Sequence, residues 1–240
     1  MTTLFISDLH LCPERPKITQ VFLDFLAQRG RQAQALYILG DFFDAWIGDD
    51  AMDDFALSIV QALRSLADTG VKIYLMPGNR DFLYGKVFSA LSGVTLIADP
   101  TCIDLYGKPT LLVHGDSLCT EDKSFQVFRY LIRHPLLCKI FLGLSLNFRT
   151  RFAANLRHKS TDANKHKTAY LMDVSQQSVE KMMRRYQAIQ LIHGHTHNPK
   201  VYDFNIDHHP ARRIVLGAWE NNGWVLNVEQ ESLQIDVLEA

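Results

Sequence analysis

The sequence predicts a layered α/β fold, with one sheet laid beside another and a helical insertion capping a shared rim. Three observations carry this expectation. The first third alternates apolar, strand-like runs with amphipathic helical repeats. The C-terminal part is instead a series of β-rich runs. Between them lies a cation-rich stretch, residues 123–172, with helical periodicity. A chain of 240 residues, 47% hydrophobic, suits one domain over 1–240 that holds this insertion within it.

The elements follow in order. Leu4-Phe5-Ile6 is a short buried strand running into Asp8. Ile18, Val21, Phe22, Phe25 and Leu26 recur at helical spacing. Leu36 to Leu39 is the next strand and runs into Asp41. Phe55, Ile59, Ala62, Leu63 and Leu66 mark a second amphipathic helix, stopped by Gly70. Val71 to Met76 is a third strand, halted by Pro77-Gly78. This β-α-β-α-β order implies parallel strands with helical crossovers. Leu111 to Val113 leads into His114, and Ile189 to Ile192 leads into Gly194. Arg213 to Leu216, Trp224 to Val228 and Leu233 to Leu238 are β-rich, with Asn221-Asn222-Gly223 as a turn between the first two. They predict a second sheet beside the first.

Charge is nearly balanced, 25 Lys and Arg against 26 Asp and Glu, so the total says nothing about partners. Its distribution says more. Lys123 to Met172 carries ten Lys or Arg and one acid, Asp162. Phe125, Phe128 and Ile132 share one helical face there, and Phe148, Phe152 and Leu156 another, with a break at His134-Pro135. On composition alone these are solvated surface helices. Because the insertion falls between two strands that end in candidate ligands, and mixes cations with surplus apolar side chains, it is read as a cap for an anionic, greasy ligand or an anionic membrane surface. No apolar run approaches the ~20 residues that cross a bilayer. The four cysteines show no CxxC spacing, and the start reads as a strand rather than a signal peptide, so reduced cytosolic thiols are expected.

Five short motifs each follow a strand-like run: Asp8-Leu9-His10, Gly40-Asp41-Phe42-Phe43-Asp44, Gly78-Asn79-Arg80-Asp81, His114-Gly115-Asp116 and Gly194-His195-Thr196-His197. Strand ends on one rim are where ligands collect in α/β folds. Carboxylates, imidazoles and one amide suit borderline divalent ions such as Mn²⁺, Fe²⁺ or Zn²⁺. In extended chain, i and i+2 face the same way, so Asp8 with His10 can grip one ion. Asp41 has two oxygens and can bridge two ions. Two metals ~3.5–4 Å apart can acidify a shared water and neutralise phosphoryl oxygens. Alone each motif is weak, since Asp-x-His and His-x-His arise by chance and Gly-Asp suits turns. All five in this order point to one site. Asp44, Asp81 and Asp116 are candidates for orienting imidazoles or a metal-bound water. His193 reads as a packing residue or a support for the ligands rather than a ligand itself, while His208 and His209 belong to a polar loop.

The five motifs resemble the calcineurin-like metallophosphoesterases, whose pattern is Asp-x-His, Gly-Asp-x-x-Asp, Gly-Asn-His-Asp/Glu, a strand-end His and Gly-His-x-His. Arg80 departs from the histidine that most of that superfamily carries. It cannot donate a proton at neutral pH, but it can clamp a phosphate oxygen. Gly-Asn-Arg-Asp-Phe-Leu at 78–83, Ala-Trp-Ile-Gly-Asp-Asp at 45–50, His-Gly-Asp-Ser-Leu-Cys-Thr at 114–120, Ile-His-Gly-His-Thr-His at 192–197 and Val-Leu-Gly-Ala-Trp at 215–219 narrow the resemblance to the UDP-2,3-diacylglucosamine pyrophosphatase family. That resemblance implies a four-layer α/β/β/α sandwich with a helical lid. It implies hydrolysis of the substrate's pyrophosphate to UMP and 2,3-diacylglucosamine 1-phosphate, in lipid A biosynthesis, by a hydroxide that two Mn²⁺ ions activate to attack the α-phosphate. It also implies a peripheral place at the cytoplasmic face of the bacterial inner membrane. The residues themselves show no nucleic-acid module, the basic stretch being interleaved with aliphatics as much as aromatics, and a monomer is expected.

Residue by residue, the resemblance implies that Asp8, His10 and His197 hold one Mn²⁺, that Asn79, His114 and His195 hold the other, and that Asp41 bridges. Asp41, Asn79, Arg80 and His195 become the catalytic set. Lipid-product contacts fall on Asn79, Arg80, Asp122, Ser160, Asn164, Lys167 and His195. Spacing supports part of this independently: Arg157, Ser160, Asn164 and Lys167 stand at i, i+3, i+7 and i+10 on one helix face. Pro77 and Phe125 depart from that family, which often has a histidine and an aromatic hydroxyl there. Two rivals stay open: a soluble nucleotide phosphoesterase or nuclease on the same site, and a non-catalytic binding protein that keeps the fold.

Overall fold

The computed structural model describes residues 2–165 and 173–239, without side chains from 158 to 165. Strands β1 (Thr3–Ile6), β2 (Ala35–Leu39) and β3 (Lys72–Met76) are parallel neighbours. Helices α1 (Pro16–Ala27) and α2 (Asp54–Ala67) cross over between them. Proline opens α1, where its missing N–H satisfies nothing in any case. Asp53 caps α2 by accepting the Ala56 N–H at 2.8 Å. A short α3 (Lys86–Ser92) and β4 (Thr95–Leu96) complete this run.

The second sheet has the order β5-β6-β7-β9-β8. It comprises β5 (Thr101–Leu105), β6 (Lys108–Leu112), β7 (Gln190–His193), β8 (Lys200–Ile206) and β9 (His209–Val215). The tail divides between the sheets. β10 (Asn222–Val228) pairs antiparallel with β1 and with β11 (Leu233–Glu239), so both join the first sheet while β9 stays in the second. Asn222-Gly223 therefore opens a strand. It is not the hairpin turn its composition suggests, because a hairpin needs both flanking strands in one sheet.

Period-two alternation builds the layers. Leu4 and Ile6 of β1 face the core beneath α1 and α2, and Phe5 faces the other sheet. Leu39 and Met76 meet Leu112, Ile192 and Ile214 in the core between the sheets. Leu111 and Leu191 point outward onto Val179 and Met183 of helix α7 (Gln176–Tyr186). The order is thus helix, sheet, sheet, helix, and each completely buried leucine or phenylalanine adds about 1.5–3 kcal/mol.

Three helices leave this frame: α4 (Lys123–Ile132), α5 (Pro135–Leu142) and α6 (Leu146–Lys165). His134-Pro135 separates the first two, as proline sterics require. Among the described residues, twelve of the sixteen exposed large apolar side chains lie between Val127 and Phe152, so this segment presents apolar surface instead of burying it. Ion pairs hold α4 down. Arg129 Nε meets Asp116 Oδ2 at 2.7 Å, Arg133 Nη2 meets the same oxygen at 2.9 Å, and Arg129 also reaches Asp99 at 3.3 Å. Among the described residues, no helix is long and apolar enough to cross a membrane, and all four cysteines are free thiols.

Candidate metal centre

The loops that follow β1, β2, β3, β6 and β7 meet on one rim. Backbone bonds stitch them together: Asp8 N–H to the Gly40 carbonyl at 3.1 Å, His10 N–H to that of Asp41 at 3.0 Å, and Gly194 N–H to that of His114 at 2.8 Å. The buried Asp81 carboxylate accepts the N–H groups of Phe42 and Gly78, each at 2.7 Å, and the Tyr84 hydroxyl at 2.7 Å. Asp8, His10, Asp41, His195 and His197 all have positive φ, between 48° and 68°. L-residues avoid that region, and the strain it stores gathers at functional sites.

The side chains converge. Asp41 Oδ2 lies 3.9 Å from His10 Nδ1, and its Oδ1 lies 3.7 Å from His114 Nε2, so its two oxygens face two different imidazoles. His197 Nε2 is 3.4 Å from Asp8 Oδ1. Asp8, His10 and His197 each offer a ligand atom within 4.8 Å of the others, and so do Asp8, Asp41 and His114. Asn79 Oδ1 is 2.9 Å from His114 Nε2, while His114 Nδ1 lies 2.9 Å from the Leu39 carbonyl, which fixes the ring. His195 belongs to neither triad. Its ring packs on His114 at 5.1 Å, and its N–H donates to Asp8 Oδ2 at 2.8 Å.

These residues suit divalent cations. Both ring nitrogens of His10 are buried with no hydrogen-bond partner, and Asp8 Oδ1 has none either. Buried polar groups are rarely left so, and a cation would satisfy all three. Burial raises the Asp41 carboxyl, and the charge of Asp8 adds to this. Burial would raise Asp8 as well, but contact with His197 and the charges of the neighbouring imidazoles hold it well below the carboxylate range. Burial and then the Arg80 charge push His10 down to about 3, and burial and then His114 push His195 down to about 3. Both are neutral, as metal ligands must be. Burial opposes charge on His114 too, yet Asp41, Asp8 and Asp116 raise it to about 9.

The rim opens into a cavity of about 800 Å³. Its lining joins Asp41, Asn79, Arg80, His195 and His197 to Trp46, Phe82, Leu83, Phe128, Leu137, Phe141 and Phe152, with Asp44, Asp122, Arg129 and Arg157 among its other charged residues.

The calcineurin-like phosphoesterase model matches residues 1–199, a span that includes all five loops. The chain belongs to the calcineurin-like phosphoesterases. It is 52% identical over 229 residues to a Pseudomonas aeruginosa protein called UDP-2,3-diacylglucosamine hydrolase, covering 95% of each chain. A Pseudomonas syringae protein of the same name is 49% identical over 232 residues, covering 97% of this chain and 94% of that one. Among solved structures, an archaeal phosphodiesterase superposes with a TM-score of 0.49 at 14% identity, covering 99% of this chain and 100% of that one.

Of the residues that the resemblance gave to substrate, Asn79, Arg80, Asp122 and His195 line the cavity. Asp122 also caps α4, accepting the Phe125 N–H at 3.1 Å. Ser160 and Asn164 lie on α6, but their side chains, and Lys167 altogether, lie outside the described residues. The three accessory aspartates all have protein partners among the described residues. Asp81 ties loop backbones together and does not orient an imidazole. Asp116 is held by Arg129 and Arg133. Asp44 joins two arginines, at 2.8 Å from Arg80 Nη1 and 2.7 Å from Arg157 Nη1. On Asp116 both guanidiniums meet Oδ2, while Oδ1 is buried without a hydrogen-bond partner among the described residues. His193 is buried, its Nδ1 2.8 Å from the Gly194 carbonyl, in keeping with a packing role.

Of the cavity's apolar wall, sequence reasoning assigned Phe128 and Phe152 to the cap but left Trp46, Phe82 and Leu83 without a role. Trp46, Phe82 and Leu83 directly follow ligand motifs in loops, where large apolar residues need a reason, and that was the available signal. Phe125 stacks on His195, with ring centroids 6.1 Å apart and planes inclined by 16°, so the ring itself has a place without a hydroxyl.

Proposed function

We propose that this chain hydrolyses the pyrophosphate bond of UDP-2,3-diacylglucosamine, releasing UMP and 2,3-diacylglucosamine 1-phosphate in lipid A biosynthesis. One observation carries the reading: a rim of carboxylates and imidazoles opens directly into an apolar cavity walled by the helices between residues 123 and 165. A diphosphate that joins a nucleoside to an acylated sugar has both characters, and the relatives' name supports that choice of substrate.

In this reading Asp8, His10 and His197 would hold one Mn²⁺, Asn79, His114 and His195 would hold a second, and Asp41 would be shared between the two sites. Bound ions of this kind acidify a water and neutralise phosphoryl oxygens. The remaining work falls to the chain. Arg80, aligned by Asp44 at 2.8 Å, receives a phosphate oxygen. Arg157 stands on the other oxygen of Asp44, which gives the cavity mouth a second cation for a diphosphate. Neutral His195 is a ligand or acceptor and not a proton donor. No histidine is needed in place of Arg80. The leaving group is a phosphate monoester whose second pKa is ~6, so it departs without being protonated. The apolar wall receives the acyl chains, and their binding contributes to turnover. The cations and exposed apolar side chains of α4–α6 meet the anionic cytoplasmic face of the inner membrane, with the chain acting as a peripheral monomer.

The test is turnover of UDP-2,3-diacylglucosamine with Mn²⁺ in ¹⁸O-labelled water. UMP is expected to be released carrying the label. Label in the lipid phosphate would overturn attack at the α-phosphorus. Equal rates on simple phosphodiesters would favour the soluble phosphoesterase instead.

A further inference from the structure

Arg149 is a cation with no place in the chemistry described so far, yet it is 2% exposed and among the largest buried side chains of the molecule. It stands in the first turn of α6, in a segment that is otherwise cation-rich and solvent-facing. Its guanidinium is used on three sides. Nε donates to the Leu144 carbonyl at 3.1 Å, just before α6 begins. Nη1 donates to the Ile47 carbonyl at 2.6 Å and to Asp50 Oδ1 at 2.8 Å, and Nη2 donates to Asp50 Oδ2. The fork thus joins the start of α6 to the loop that follows β2. That loop is built around it: Gly48 has φ +129°, and a Cβ there would lie 2.6 Å from Arg149 Nη1.

The loop is itself fixed to the metal rim. Trp46 N–H donates to the Arg80 carbonyl at 3.1 Å, and the Trp46 ring packs on Phe43 and Tyr84 with centroids 4.9 and 5.0 Å away. Phe152, Ala153, Leu156 and Arg157, which line the cavity, follow Arg149 at i+3, i+4, i+7 and i+8, on the same helix face. The geometry points to Arg149 as a positioning residue that, through Asp50 and the Ile47 carbonyl, sets the distance between the apolar cavity wall of α6 and the metal rim, and so decides which acyl-chain lengths turn over. Lysine cannot replace it, because a single ammonium cannot serve two carbonyls and both oxygens of a carboxylate from one buried point. The inference rests on the cavity being the lipid site.

Two variants test it, Arg149→Lys and Asp50→Asn. Asp50 is 63% exposed, so its amide replacement leaves the core alone. Neither residue lines the cavity. The measurement is kcat and KM on UDP-glucosamine bearing long and then short acyl chains, with Mn²⁺ affinity by calorimetry as the control on the rim. In both variants the wild-type ratio of kcat/KM between long and short chains should shrink by about tenfold, mostly through KM, while Mn²⁺ affinity stays within about twofold. An unchanged chain-length ratio in the folded variants would overturn the assignment. So would unfolding of both at 25 °C, which would make Arg149 a fold anchor and nothing more. A wild type that turns over no acylated substrate defeats the proposed function instead, which keeps the two failures apart.

Discussion

At the residue scale, the candidate ligands are defined as much by backbone as by side chain. Five of them sit at positive φ, a region few non-glycine residues enter and in which aspartate and histidine are over-represented. Tight contacts keep them there. A Cβ on Gly194 would lie 2.2 Å from Asp8 Oδ2 and 2.3 Å from Ser7 Oγ. Gly194→Ala should therefore displace Asp8 and lower activity by about 100-fold with little change in KM, since small misplacements of reacting groups carry that order of penalty. Steady-state kinetics on the variant would show it, and wild-type activity would mean that Asp8 tolerates the shift. His114 gives a second expectation. With its pKa raised to about 9, it holds a proton at neutral pH until a metal displaces it. Raising the pH removes that competitor, so metal affinity should strengthen by up to about tenfold per pH unit from neutrality toward pH 9, then level off. Calorimetry in buffers of different ionisation enthalpy would reveal the proton release. Affinity that does not vary with pH would show that His114 is already neutral.

At the scale of elements, the strands were legible where a buried run led straight into a motif, as at Leu4–Ile6, Leu36–Leu39 and Leu111–Val113. β4 was not, having two residues, nor was α3, a seven-residue helix with only two buried residues. The assignment of tail strands to sheets was illegible for another reason: β10 finds β1 across most of the chain, and no local pattern encodes a non-local register. The partners of Asp44, Asp81 and Asp116 were hidden likewise, because spacing shows which carboxylates reach the rim but not which donors arrive first. Helix α4 illustrates this. Its arginines reach back to Asp99 and Asp116, two buried carboxylates that would otherwise repel. Arg133 also lies over the Phe82 ring, 5.7 Å from its centroid. Arg133→Met should cost about 3 kcal/mol, because it leaves two buried carboxylates to one arginine. Denaturant unfolding measures this, and a loss below about 0.5 kcal/mol would show the pair to be solvated like a surface bridge.

On the scale of the whole molecule, the layers set the chemistry. Two sheets packed face to face bring the ends of β1, β2 and β3 beside those of β6 and β7, so that residues from Asp8 to His197 share one rim. The insertion between β6 and β7 then covers that rim with apolar surface. Each half is ordinary; their junction is what suits a diphosphate with a lipid on one side. The motifs made the rim legible from sequence, because metal chemistry restricts residue type and spacing. The cavity was legible only as an excess of cations and apolar residues between two motifs, since its shape depends on contacts such as that of Arg149 with Asp50. The most direct test is a crystal grown with manganese and measured at the manganese absorption edge. Two anomalous peaks flanking Asp41 are predicted, one toward His10 and His197 and the other toward Asn79 and His114. Fewer than two peaks beside Asp41, or manganese only at exposed surface carboxylates, would contradict it.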